Sequence, residues 1–121
     1  MQYMLLIYAE ESAWDAMSDG DKQKTMQAYI DFSKQVAAAG VLRGGSELAP
    51  IATAKTVRVR NGRVKATDGP FAETKEHLGG YYLIDVPSLD QALEWAAKVP
   101  SAAIGSIEVR PLTQNQALAH V

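Results

Sequence analysis

Two short runs restrict the folds open to this chain more than any other feature. Tyr3-Met-Leu-Leu-Ile-Tyr8 and Tyr81-Tyr-Leu-Ile-Asp-Val86 carry apolar side chains on both alternating faces. A strand with two apolar faces needs cover from both sides. The sequence predicts two substantial helices to supply it. Ser18 is placed to cap the first, with Asp19 and Asp21 in its first turn. Its stripe is Met26, Tyr29, Ile30, Ser33, Val36 and Ala37, and Gly40 provides a stop. Ser88-Leu-Asp-Gln91 is a capping box that opens the second, with Leu89, Ala92, Leu93 and Ala96 as its apolar side and Pro100 as its limit.

The other elements follow from local signals. Residues 10–18, around Trp14, read as a loop or short helical turn. Val41 to Leu48 reads as a strand loosened by Gly44-Gly45, and Ser106 to Arg110 as an alternating strand closed by Pro111. Lys55–Arg60 and Arg63–Ala66 flank Asn61-Gly62, which favours a two-residue type I′ hairpin because both turn positions need positive φ. That register pairs Arg60 with Arg63 and Arg58 with Lys65 on one face and leaves Val57, Val59 and Val64 on the other. Thr67 to Phe71 reads as a turn. Pro70 is suited to open a short helix over 72–77, and Gly79-Gly80 to release the strand 81–86. Residues 112–121 read as polar, and as loose or partner-dependent.

The order is β-α-β, a hairpin insertion, then β-α-β. This is the α+β, ferredoxin-like split arrangement, an antiparallel sheet with helices on one face. Two helices cover one face only. The other, apolar along both central strands, is expected to be buried by a second copy, giving a homodimer packed sheet against sheet. With 121 residues the chain fits a single domain, 1–121.

Composition narrows the chemistry. The chain has no cysteine, which removes disulfides, thiolate metal sites and cysteine nucleophiles. Its two histidines, His77 and His120, are far apart in sequence, so no metal site and no cofactor are expected. The apolar runs are too short to span a membrane, and the first residues lack a basic leader, so a cytoplasmic protein is expected. A net charge of −2 argues against generic nucleic-acid binding. That charge is unevenly spread: residues 41–66 form a cationic island between two acidic segments.

Asp68-Gly-Pro-Phe-Ala-Glu-Thr-Lys-Glu76, followed by Leu78-Gly-Gly-Tyr-Tyr-Leu-Ile-Asp85, resembles the DGPF branch of the YCII-related family. The opening Tyr3–Tyr8, the Gly44-Gly45 pair and the closing Gly105–Pro111 fit as well, so the resemblance covers almost the whole chain. It implies a ferredoxin-like fold assembled as a dimeric α+β barrel. Some relatives in the wider family act as lyases on halogenated aromatic rings through a His–Asp dyad. DGPF members are often encoded beside extracytoplasmic-function sigma factors, which implies a regulatory or stress context. The dyad histidine belongs on the first helix, three turns before its terminal glycine, where this chain has Tyr29. The nearest match to the acidic partner is Glu10.

The candidate residues follow. Asp68 could act as a base or hold a substrate in a pocket lined by Phe71 and Tyr82, or could form an Asx turn with the amides that follow it. Glu73 and His77, i and i+4 on the short helix, could form an acid–base pair or a solvated turn. Arg43 could hold a carboxylate in a cleft or pair with Glu47. Tyr8, Tyr29 and Trp14 could line a pocket for a flat ligand or serve as core or interface. The Arg58/Arg60/Arg63/Lys65 face could bind an anion or discourage strand aggregation. The site is expected between the sheet and the first helix, near Glu10, Tyr29, Arg43 and Asp68. The leading function is a homodimeric small-molecule-binding domain, accessory to stress or sigma-factor regulation, with an aromatic or carboxylated ligand. The alternative is a cofactor-independent lyase or isomerase using Glu10, Tyr29 and Asp68.

Overall fold

The computed structural model describes residues 1–114. The loose tail expected over 112–121, and His120 with it, lies largely outside that range. The chain runs β1 (Gln2–Ala9), α1 (Glu11–Asp15), α2 (Asp19–Ala38) and β2 (Leu42–Glu47). A hairpin follows, β3 (Lys55–Arg60) and β4 (Arg63–Asp68), then β5 (His77–Asp85), α3 (Leu89–Lys98) and β6 (Ser106–Pro111). The main sheet has the order β2-β5-β1-β6 with every neighbour antiparallel. With α2 and α3 as the two crossovers, this is the ferredoxin-like arrangement.

The caps form where the sequence places them. Ser18 Oγ accepts the Asp21 amide at 3.1 Å and Ser88 Oγ accepts that of Gln91 at 3.3 Å. Gly40 closes α2 at a φ of +74°, in the left-handed region that glycine tolerates.

The core lies between the sheet and the two long helices. Tyr3, Leu5 and Ile7 meet Phe32 and Val36 of α2, Ala92 and Ala96 of α3, and Ile84, Val86 and Val99. Leu5, Val36 and Ile84 are fully inaccessible. Burial of such side chains contributes roughly 1.5–3 kcal/mol each. Odd-numbered residues of β1 therefore face the helices. Met4, Leu6 and Tyr8 face the other way, opposite Leu83, Tyr81 and Leu78 of β5. None of these six belongs to the helix-side core.

Both helices sit rotated from the expected stripes. On α2 the buried residues are Phe32 and Val36, whereas Met26 and Ile30 are exposed. On α3, Ala92 and Ala96 are buried, whereas Leu89 and Leu93 are about half exposed. The large rings decide the faces. Phe32 meets Trp95 edge-on, with centroids 6.2 Å apart, and Tyr82 at 5.0 Å.

The short helix over 72–77 does not form, and those residues run as bends into β5. Six residues are too few to repay helix nucleation without packing. The Thr74 hydroxyl also donates to the Glu76 carbonyl at 2.6 Å, a local bond that competes with helix. Nor do Gly79 and Gly80 precede a strand, since β5 runs through them from His77. A Cβ at Gly80 would lie 2.9 Å from the Ser46 carbonyl oxygen, so the glycine allows β2 to come alongside.

The hairpin forms a separate two-stranded sheet in the expected register. Asn61 and Gly62 have φ of +53° and +75°. Val57, Val59 and Val64 are mostly exposed, so the hairpin is an arm that stands off the main sheet with both faces bare. Its base is tied by the Gly69 amide to the Ala54 carbonyl and by the Thr56 hydroxyl to the Gly69 carbonyl, both at 2.8 Å.

Candidate functional site

Tyr29 and Ser33 lie one turn apart on α2, on the flank next to Phe32. Each joins its hydroxyl to a hydroxyl on another element. Tyr29 bonds Ser101, which is buried in the 3-10 turn Pro100–Ala103 after α3. Ser33 bonds Tyr82 of β5 at 2.9 Å. The two pairs clamp α2 to the sheet and to the turn beneath it. Beside them runs an open groove of about 420 Å³ lined by Tyr29, Ile30, Ser33, Lys34 and Ala37. Its wall is chiefly apolar, with the Lys34 ammonium as its ionic group.

Burial raises the Tyr29 phenol above its ordinary value, and the bonds from Ser101 oppose this only in part. The nearby Tyr82 and Glu47 push in the same direction as burial. Tyr29 is therefore a neutral phenol at physiological pH, able to donate or accept a hydrogen bond but unsuited to abstract a proton. Among the described residues, no carboxylate hydrogen-bonds any of the four hydroxyls.

The other candidates are dispersed. Glu10 is exposed at the N-terminus of α1 and makes no capping bond. Its neighbour Glu11, which the sequence did not single out, accepts the Ile51 amide at 2.8 Å and ties α1 to the loop before the arm. Arg43 donates to the Gly40 and Leu42 carbonyls at 3.0 and 3.2 Å and lies 3.9 Å from Asp85. It thus completes the C-terminal end of α2, where free carbonyls and the helix dipole favour a cation; Glu47 is not its partner. Asp68 faces Lys55 across the arm and is ion-paired to it. Its side chain forms no Asx turn, because the ammonium offers a stronger, charged donor.

Phe71 is 79% exposed at the arm's base, while Tyr82 is half-buried under α2. Glu73 and His77 share no helical turn, since His77 pairs with Ala9 in the sheet. Tyr8 lies on the uncovered sheet face, between Leu78 and Ser106. Trp14 lies under the Lys22 ammonium at 5.8 Å. Arg43 and Asp68 border neither the α2 groove nor a second one of about 220 Å³ between Val41, Val86 and Trp95.

Ser101 had no signal in the sequence. It lies 72 positions from Tyr29, and only the packing of the turn brings them together. Ser33 left a trace, as a polar residue in an apolar stripe. Among the described residues no three histidine or acidic side chains gather to hold a metal ion. No helix there is long and apolar enough to cross a membrane.

Similarity to known sequences spans the whole of this fold. The model of the YCII-related domain matches residues 1–116. An uncharacterized protein of Rhizobium meliloti (strain 1021) is 41% identical over 114 residues, which cover 93% of this chain and 92% of the relative. A match that runs through every strand and helix described above leaves one assignment: the chain belongs to the YCII-related family.

Proposed function

We propose that this DGPF-type chain is a homodimeric small-molecule-binding domain with a sensing or accessory role. Its ligand is a small aromatic or carboxylated compound held in the α2 groove. The observation that carries this reading is the closed pairing of the hydroxyls around a phenol that burial keeps protonated. A site for proton transfer would place a base in hydrogen-bond contact with Tyr29, whose hydroxyl bonds Ser101 instead. The apolar wall suits a ring, Lys34 suits a carboxylate, and Tyr29 and Ser33 set the polarity.

The lyase or isomerase reading needs Glu10 and Asp68 beside Tyr29, and in one subunit they do not line its groove. Those two, with Tyr8, Arg43, Phe71, Glu73 and His77, enter a common site only if a second copy supplies them. The homodimer rests on the uncovered apolar face of β1 and β5, which a second sheet would bury.

A thermal-shift series with benzoate, salicylate and 4-hydroxybenzoate tests the binding. A ligand at a hundred times its Kd stabilises by roughly 2.7 kcal/mol. The expected result is a dose-dependent rise in Tm for wild type that Lys34→Ala and Tyr29→Phe each reduce. A rise untouched by both substitutions would put the ligand elsewhere, and no rise across the series would remove the reading.

A further inference from the structure

The arm carries a charge pattern that neither the fold nor the groove uses. Residues 55–65 contain Lys55, Arg58, Arg60, Arg63 and Lys65 and no carboxylate. The observed register places Arg58 opposite Lys65 and Arg60 opposite Arg63, so four cations crowd one face of a two-stranded sheet. Like charges facing across a ladder destabilise it. Lys55 has Asp68 as its partner. Among the described residues the other four have no carboxylate within ion-pair distance. The opposite face holds Val57, Val59 and Val64, at 61%, 55% and 73% exposure, with Phe71 at 79% near the base. A lone hairpin of this kind is at best marginally stable in water. Among the described residues, both of its faces therefore lack partners.

The same chain contains the complement. Residues 10–21, which span α1 and the start of α2, contain Glu10, Glu11, Asp15, Asp19 and Asp21 and no lysine or arginine. Glu11 is engaged by the Ile51 amide. Glu10, Asp15, Asp19 and Asp21 are exposed and, among the described residues, unpaired with any cation. Four free carboxylates thus match four free cations, yet among the described residues of one subunit they form no ion pair. A two-fold axis would satisfy both sets twice in one assembly.

From this we infer that the β3–β4 arm is an exchange arm. Its Arg58/Arg60/Arg63/Lys65 face docks on the acidic α1–α2 segment of a second copy of this chain, and its valine face is covered in the same association. The inference rests on the proposed homodimer and names what gives that dimer its specificity. Charge of this sort steers and selects partners more than it adds affinity, and salt screens it.

The test is measurement of the dimer dissociation constant by sedimentation equilibrium and light scattering. It uses wild type at 50 and 500 mM NaCl, and the quadruple variant Arg58→Glu, Arg60→Glu, Arg63→Glu, Lys65→Glu. All four side chains are exposed, and circular dichroism checks that the variant stays folded. The constant is expected to rise at least tenfold with salt, and at least tenfold in the variant at low salt. A second chain with Glu10→Lys and Asp15→Lys, mixed with the reversed arm, is expected to recover heterodimer. A wild type that dimerises equally at both salt concentrations, with a reversed arm that dimerises as well, would overturn the exchange arm and leave the homodimer standing. Recruitment of an acidic protein by the arm of such a dimer would overturn it in the same way. A wild type that is monomeric at every concentration would remove the homodimer and the arm's role together.

Discussion

The hydroxyl of Tyr29 meets that of Ser101, so the middle of α2 is bonded to the turn that follows α3. Ser101 is buried, and losing Tyr29 would leave its hydroxyl without that partner. Tyr29→Phe is expected to cost about 1–2 kcal/mol of unfolding free energy. Ser101→Ala should cost a similar amount, and the double variant clearly less than the sum. Urea unfolding of the four proteins measures the coupling. Additive losses would mean that the two hydroxyls act independently.

The same phenol fixes a pH dependence. Burial raises the pKa of Tyr29 in the folded state above its ordinary value of 10.0. The native state then holds the proton more tightly than the unfolded chain, so this contribution is complete below pH 10. It is lost as pH rises through the folded pKa. Wild type should therefore lose stability as pH rises above 10 relative to Tyr29→Phe, and no such difference should arise between pH 6 and 8. Denaturant midpoints across both ranges check this.

Two strand glycines should respond oppositely to one methyl group. A Cβ at Gly80 would lie 2.9 Å from the Ser46 carbonyl oxygen, whereas at Gly44 the nearest atom is Leu83 Cβ at 3.9 Å. Gly80→Ala is expected to cost about 1–3 kcal/mol, because backbone must shift. Gly44→Ala is expected to be near neutral or mildly stabilising, since alanine restricts the unfolded chain. Thermal unfolding of the pair separates a packing requirement from mere strand loosening.

The face of α3 can be read by truncation. Leu93 is 48% exposed and Leu5 is 0% exposed. Leu5→Ala should cost about 2–5 kcal/mol and Leu93→Ala less than about 1 kcal/mol. Equal losses would restore the leucine face that the sequence favoured.

Asp68, the carboxylate to which the sequence pointed most directly, should be replaceable. Its ion pair with Lys55 is 85% exposed on the aspartate side and 67% on the lysine side. Such pairs contribute only about 0–1 kcal/mol. Asp68→Asn and Asp68→Ala should therefore be almost equally mild in urea unfolding. A marked excess loss for alanine alone would revive the Asx turn.

What the sequence disclosed divides by distance along the chain. Ser18, Gly40, Asn61-Gly62 and Ser88 act on atoms within a few residues, and each performs as its local chemistry dictates. The two-faced strands and their ferredoxin-like order were legible too, because strand period and turn signals are local. The helix faces were not. Phe32 and Trp95 choose them by meeting each other from different helices, and no window of sequence contains both. Gly80 looked like a break because its reason, the backbone of β2, lies more than thirty positions away. The same holds at the groove, where Tyr29 stood out but its partner Ser101 could be found only in the folded chain.

The sheet order also sets a timetable for synthesis. β1 is translated before every element it needs. Its ladder partners are β5, which ends at Asp85, and β6, which ends at Pro111. β1 thus leaves the ribosome well ahead of both its ladder partners, although it is one of the two strands with two apolar faces. Contacts of such sequence separation close slowly. In the interval the nascent Tyr3–Tyr8 segment is an unpaired apolar strand of the kind that holdase chaperones and neighbouring nascent chains would compete to bind.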